Sequence, residues 1–195
     1  MSEFNEQYFK SINYVSYLDR EERYEKLAKE LCSYLKNLGY INEKSMIIDY
    51  GAAIGFLTNA IRNIGYNCDA YDISDWAKQY GYKKYGITYI YYEKKQYDLM
   101  IALDVFEHMS DNQIIDMLNT FTVNHIVIRI PCSSDGLTFH LNISNQDHTH
   151  INCKTKSKWE DFFEKIGFKI DHNINLYTIF DSEGVMCAIL TNNKK

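Results

Sequence analysis

From Arg20 to Leu38 the apolar positions Tyr24, Leu27, Ala28, Leu31, Tyr34, Leu35 and Leu38 recur at intervals of three and four, which predicts an amphipathic helix ended by Gly39. Asp19, Glu21 and Glu22 put negative charge at its start, where the helix dipole favours it. The period then changes. Met46-Ile47-Ile48 is apolar without alternation, the pattern of a strand covered on both faces in a parallel sheet, and it runs through Asp49 into a glycine turn. A second helix is predicted from about Gly55 to Ile64, stopped by Gly65.

The alternation of strand and helix repeats. Tyr66 to Tyr71 predicts a second strand ending at Asp72, and Ser74 is placed to cap the next helix. Ile87 to Tyr91 reads as a short third strand and Tyr97 to Leu103 as a fourth. Ser110 or Asp111 then caps a helix with Ile114, Ile115, Leu118 and Phe121 on one face, and His125 to Ile130 is a fifth strand. Residues 131–154 have no clear period and are rich in Ser, Asn, Asp and His, so a long functional loop is expected. Lys156 to Ile166 is helical, and Phe168 to about Leu176 and Val185 to Thr191 are the last strands, joined by the turn Asp181-Ser182-Glu183-Gly184. The order implies an α/β domain: a seven-stranded, mostly parallel sheet with a terminal antiparallel strand and helices on both faces. Residues 1–19 are too aromatic for a disordered tail and read as one or two helical turns packing over the site. The division expected is a lid and helix over 1–40 and a core over 46–191 of a single domain, 1–195.

Composition narrows the class. At 195 residues, 46% hydrophobic and 24% charged, the chain is globular and long enough for one substantial core. Its apolar runs are strand-length and its first residues lack the basic and apolar regions of a signal peptide, so a soluble cytoplasmic protein without membrane contact is expected. Five scattered cysteines (Cys32, Cys68, Cys132, Cys153, Cys187) form no C-x-x-C pair and read as reduced thiols. Net charge of -5 without a long basic run argues against nucleic acid as partner, and the local lysines Lys78, Lys83, Lys84, Lys94 and Lys95 read as a solvated helix face and loop. Oligomeric state is not legible.

The glycine turn carries the first candidate chemistry. Gly51 and Gly55 allow strained dihedrals and close approach of a ligand at the carboxyl end of a strand. The dinucleotide fingerprint G-x-G-x-x-G fails, because Ala53 and Phe56 stand at its later glycine positions. What stands here is D-x-G-x-x-x-G, open to a cofactor turn or a plain strand-to-helix turn. Asp72, 21 residues after Gly51 at the end of the second strand, can accept both hydroxyls of a ribose or serve as a helix N-terminal acid.

Taken with Y-D-L-M-I-A-L-D-V-F-E-H-M at Tyr97 to Met109, these segments resemble the class I S-adenosylmethionine-dependent methyltransferases, over about Ile47 to Leu190. The resemblance is to the Rossmann-like fold of that family and its small-molecule branch, which includes ubiquinone-biosynthesis-like and sugar-modifying enzymes. It implies S-adenosylmethionine as cofactor. It also implies that Asp49 and the Gly51 backbone hold the cofactor's amino-acid part, that Ala53 and Gly55 belong to the same cofactor-binding turn, that Asp72 and Ile73 hold its nucleoside, and that Ala102, Leu103 and Asp104 line it. The family usually has a further glycine where Ala53 stands, a departure that narrows the turn. A small-molecule acceptor is implied as partner.

The acceptor side is less determined. His108, read alone, is a capping or supporting residue or a general base. The loop adds His140, Asp147, His148 and His150, and H-x-H spacing leaves substrate binding, metal binding or a plain polar loop open, with no metal expected. The reading is an O- or N-methyltransferase for a hydroxyl or amine of a small polar molecule, a sugar or sugar nucleotide among them. Its base candidates are His108, His148 and His150, and Tyr8, Tyr14, Tyr17, Glu107, His140 and Asp147 bind substrate. A non-catalytic cofactor-binding or regulatory domain of the same fold is the alternative.

Overall fold

Side chains alternate across a strand, so the two apolar neighbours Ile47 and Ile48 must face opposite sides of a sheet, and both are fully buried. The computed structural model, which describes residues 3–11, 15–91 and 95–193, shows what covers each side. Ile47, Leu99, Ile101, Val127 and Ile189 meet Leu27, Leu31 and Leu35 of α1 (Glu21–Asn37) and Leu57 and Ile61 of α2 (Phe56–Asn63). Ile48, Met100, Ile126, Ile128 and Leu190 meet Ile114 and Met117 of α4 (Asp111–Thr120) and Trp159 and Phe163 of α6 (Lys156–Lys165). Helices therefore lie on both faces. The strands are β1 (Met46–Tyr50), β2 (Asn67–Tyr71), β3 (Lys95–Leu103), β4 (Phe121–Pro131), β5 (Phe168–Asn173) and β6 (Val185–Asn192), in spatial order β2-β1-β3-β4-β6-β5. The pairs from β2 to β4 are parallel, and β6, the last strand in the chain, runs antiparallel between β4 and β5.

The described sheet has six strands, not the seven expected from the sequence. The segment Ile87 to Tyr91, expected as the third strand, follows α3 (Asp75–Tyr85) and contributes one parallel bridge, Ala70 to Tyr89. Its side chains explain this. The Tyr89 hydroxyl donates to the Ala53 carbonyl at 2.8 Å, and Ile87 and Tyr89 pack with Ala52 and Ala70 under the glycine turn, so side chains supplement a single backbone bond, from the Ile90 amide to the Ala70 carbonyl at 2.9 Å. Phe121, expected on a helix face, instead opens β4, where it is buried beside the rings of Tyr50, Tyr71 and Tyr97.

Local signals act where they were read. Ser74 accepts from the Ala77 amide at 3.1 Å, and Ser110 and Gln113 form a reciprocal capping box at the start of α4. The long loop after β4 includes a short helix, α5 (Asn142–Asn145), and is pinned to the end of β3 because the amides of Ile151 and Asn152 both donate to the Glu107 carbonyl, at 2.8 and 2.9 Å. Two 3₁₀ turns, Tyr8–Lys10 and Tyr17–Asp19, bury Phe9 and Tyr17 against Trp76 and Phe56. No helix among the described residues is long and apolar enough to cross a membrane.

Candidate active site

At the carboxyl end of β1 the chain makes three left-handed steps, Gly51 (φ +78), Ala53 (φ +47) and Gly55 (φ +83). The amides of Gly51 and Ala52 both donate to the Tyr71 carbonyl at 2.9 Å, which ties the turn to β2. Asp72 tightens it, each carboxylate oxygen accepting one amide, Ala53 and Ser74, both at 2.7 Å. A second lone pair stays on each of those oxygens. Asp49 is buried and accepts from the Thr58 hydroxyl at 2.7 Å, and its burial pushes the carboxyl up to about 7.

Two hollows open around this turn and share Gly51, Asp104 and His108. One, of about 460 Å³, is floored by Tyr50, Tyr71, Asp72 and Val105, with the 56% exposed Ile73 at its rim and Phe4, Tyr8 and Phe9 over it. It offers a carboxylate beside flat apolar surface. The other, of about 300 Å³, is polar, with Arg20 and Arg23 from the start of α1, Arg129 from the end of β4, and Glu107, Asp147 and His150. Asp104 (φ +56) stands between them, its carboxylate gripped by the Arg129 guanidinium and its amide donating to the Arg129 carbonyl at 2.7 Å.

The polar hollow is organised around His108. The Thr149 hydroxyl has one proton, and it lies 2.5 Å from Asp147 Oδ1 and 2.8 Å from His108 Nδ1. His108 Nδ1 also faces the Thr149 carbonyl at 3.3 Å, which can only accept. The network therefore assigns the ring proton to Nδ1 and the lone pair to Nε2. Burial, and then the neighbouring His150, lower the His108 pKa to about 4, so the ring is neutral at neutral pH. His150 Nε2 lies 3.8 Å from Asp147 Oδ2 and 4.0 Å from Glu107 Oε1, and burial lowers its pKa as well. Glu107 is wholly buried, and burial, with Asp104 nearby, raises its carboxyl well above the usual range.

Of the residues singled out in the sequence, Asp49, Gly51, Ala53, Asp72, Ile73, Leu103 and Asp104 line the hollows, as do Tyr8, Tyr17, Glu107, His108, Asp147 and His150. Gly55 and Ala102 lie behind the lining, the first at the N-terminus of α2 and the second in the core. His140 and His148 are exposed and border neither hollow. Tyr14 lies outside the described residues. Sequence reasoning missed Arg20, Arg23, Arg129 and Thr149. Arg129 did carry a signal, as a lone cation inside the apolar run Ile126-Val127-Ile128-Arg129-Ile130.

No curated protein sequence matches the chain. A family model described as a methyltransferase domain matches residues 20–173. Among solved structures, magnesium protoporphyrin IX methyltransferase from Synechocystis PCC 6803 with bound SAH aligns at 15% identity and TM-score 0.62, covering 95% of this chain and 92% of that one. A SAM-dependent methyltransferase from Archaeoglobus fulgidus aligns at 14% identity and TM-score 0.63, covering 91% and 100%. Mitomycin 7-O-methyltransferase aligns at 10% identity and TM-score 0.62, over 92% of this chain and 56% of its own length. At such identities the likeness is one of fold.

Proposed function

The chain belongs to the methyltransferase-domain family and uses S-adenosylmethionine, and from that premise we propose that it methylates a hydroxyl or amine of a small polar molecule held in the hollow of Glu107, His108, Asp147 and His150. The carrying observation is the junction at Gly51, Asp104 and His108, where the glycine turn's hollow meets a neutral imidazole whose Nε2 lone pair is uncommitted. The residues present suit the cofactor. Asp72 has a lone pair on each oxygen for two ribose hydroxyls, Ile73 offers apolar surface beside it, and Gly51 lines both hollows where the amino-acid part would lie. When bound, the sulfonium supplies a methyl group already activated for in-line displacement. What the chain must do is align the acceptor and remove its proton. His108 Nε2 takes that proton, while Thr149 and Asp147 hold the ring in the required tautomer. Arg20 and Arg23 beside the carboxylates and imidazoles favour a hydroxyl-rich or phosphorylated acceptor, hence a sugar or sugar nucleotide. The single-domain organisation over 1–195 is part of the same reading.

A thermal-shift comparison tests the cofactor assignment directly. S-adenosylhomocysteine (SAH) at 100 times its dissociation constant adds about 2.7 kcal/mol of stability, whereas NAD adds none. Unfolding at the same temperature with and without SAH would sink the proposal.

Asp49 gives this binding a pH dependence. With its carboxyl at about 7, the group is partly protonated near neutrality, and an ammonium group of the cofactor favours the ionised form. Affinity for SAH is therefore expected to rise from pH 6 to 8, by up to about tenfold per unit below the pKa. The sign for folding is opposite. A carboxyl raised from 3.8 to about 7 stabilises the cofactor-free chain at low pH, and that contribution is lost as pH rises through 7. Calorimetric titration of Asp49→Asn with SAH should show no such slope; an unchanged slope would move the dependence to another group.

A further inference from the structure

Glu107 presents a problem that methyl transfer does not solve. It is fully buried, and neither carboxylate oxygen has a hydrogen-bond partner. An orphaned buried carboxyl costs several kcal/mol of desolvation and calls for a partner from outside the chain. The atoms facing it are imidazole nitrogens. One donor atom from each of Glu107, His108 and His150 lies within 4.8 Å of the other two, and no other group of three such side chains converges in this way among the described residues.

We propose that this corner binds a divalent transition-metal cation. Two imidazoles and one carboxylate suit Mn²⁺, Fe²⁺, Co²⁺ or Zn²⁺, whereas Mg²⁺ and Ca²⁺ take oxygen ligands. The supports are also those of a metal site. A ligating histidine donates its other ring N–H to a neighbour, and His108 Nδ1 donates to Thr149, which leaves Nε2 to the ion. Asp147 accepts from Thr149, so a carboxylate stands behind the His108 imidazole through that hydroxyl, and its other oxygen lies 3.8 Å from His150 Nε2 at the edge of the cluster. Arg129, which lines the same hollow, is already neutralised by Asp104. Donors about 2.1 Å from one ion in a tetrahedral array stand about 3.4 Å apart, so donors within 4.8 Å of one another close by up to about 1.4 Å on binding.

The inference rests on reading this hollow as the acceptor site and deepens it. With three protein ligands the ion keeps open positions toward the hollow. An acceptor oxygen bound there would have a lowered pKa and would pass its proton to water in the open hollow as it binds, so the ion's charge would take over the work of the free His108 base.

The test is Mn²⁺ binding to the full chain after chelation, read by electron paramagnetic resonance and calorimetry. Manganese is chosen because it avoids thiols and the chain has five cysteines. One ion per chain is expected, with affinity reduced tenfold or more in Glu107→Gln and in His150→Ala. The second variant serves if the first fails to fold. Absence of saturable 1:1 binding with Mn²⁺, Co²⁺ and Zn²⁺ alike, or affinity in both variants equal to that of the unaltered chain, overturns the site. The SAH thermal shift, read on the unaltered chain without added metal, reports separately on whether the methyltransferase reading stands.

Discussion

His108→Ala is expected to lower kcat for methyl transfer by about 10²- to 10⁴-fold, the range for removal of a positioned general base, while SAH affinity changes less than about twofold. The reason lies in where the ring points and in the timing of the proton's release. Attack by a neutral hydroxyl on the methyl group makes an oxonium, so the oxygen becomes strongly acidic only as the new C–O bond forms, and a base with pKa near 4 is then sufficient. A neutral ring at neutral pH means that nearly every molecule is competent. Removing the ring deletes the lone pair whether it meets the acceptor's proton or a metal ion. His148→Ala is the control, since that side chain is exposed and borders neither hollow. Single-turnover transfer from labelled cofactor separates the two variants; comparable losses in both, or none in either, would remove His108 from the mechanism.

What could be read in advance was whatever the backbone period or a single residue dictates. The unbroken run at Ile47 and Ile48 required a strand covered twice, and the acid at Asp72 required only a position at a strand's end. What could not be read were relations across long stretches of chain. His108 and Thr149 are 41 residues apart, and which of His140, His148 and His150 turns inward is set by α5 and by two amides donating to the Glu107 carbonyl, neither of which has a sequence period. The missing strand has the same origin. Ile87 to Tyr91 has the composition of a strand, but its one bridge to Ala70 and the reach of the Tyr89 hydroxyl to Ala53 are set by neighbours distant in the chain. Ala53 is the instructive middle case. Its φ of +47° explains why a glycine suits that position, and an L-residue held there bears a cost of about 1–2 kcal/mol that the bonds to Asp72 and Tyr89 offset.

Gly51→Ala should be far more damaging than the alanine already tolerated two residues on. Two costs coincide at Gly51. Its φ of +78° imposes about 1–2 kcal/mol on any L-residue, and a Cβ there would stand 2.5 Å from Val105 Cγ2. Overpacking of that kind adds about 1–3 kcal/mol. Val105 cannot yield without consequence, because it lines the larger hollow and directly precedes the 3₁₀ turn Phe106–His108 that carries Glu107 and His108. The expected result is a loss of about 2–5 kcal/mol in stability together with loss of SAH binding. Gly39→Ala isolates the first cost, since Gly39 has φ +81° with nothing within 4 Å of an added Cβ, and it should lose about 1–2 kcal/mol and bind SAH normally. Val105→Ala isolates the second. Added to Gly51→Ala it removes the clashing methyl, so the double variant should be more stable than the sum of the single changes requires. Denaturant unfolding of the four variants measures this coupling. Strict additivity would mean that the turn's conformation alone, and not its contact with Val105, demands glycine at 51.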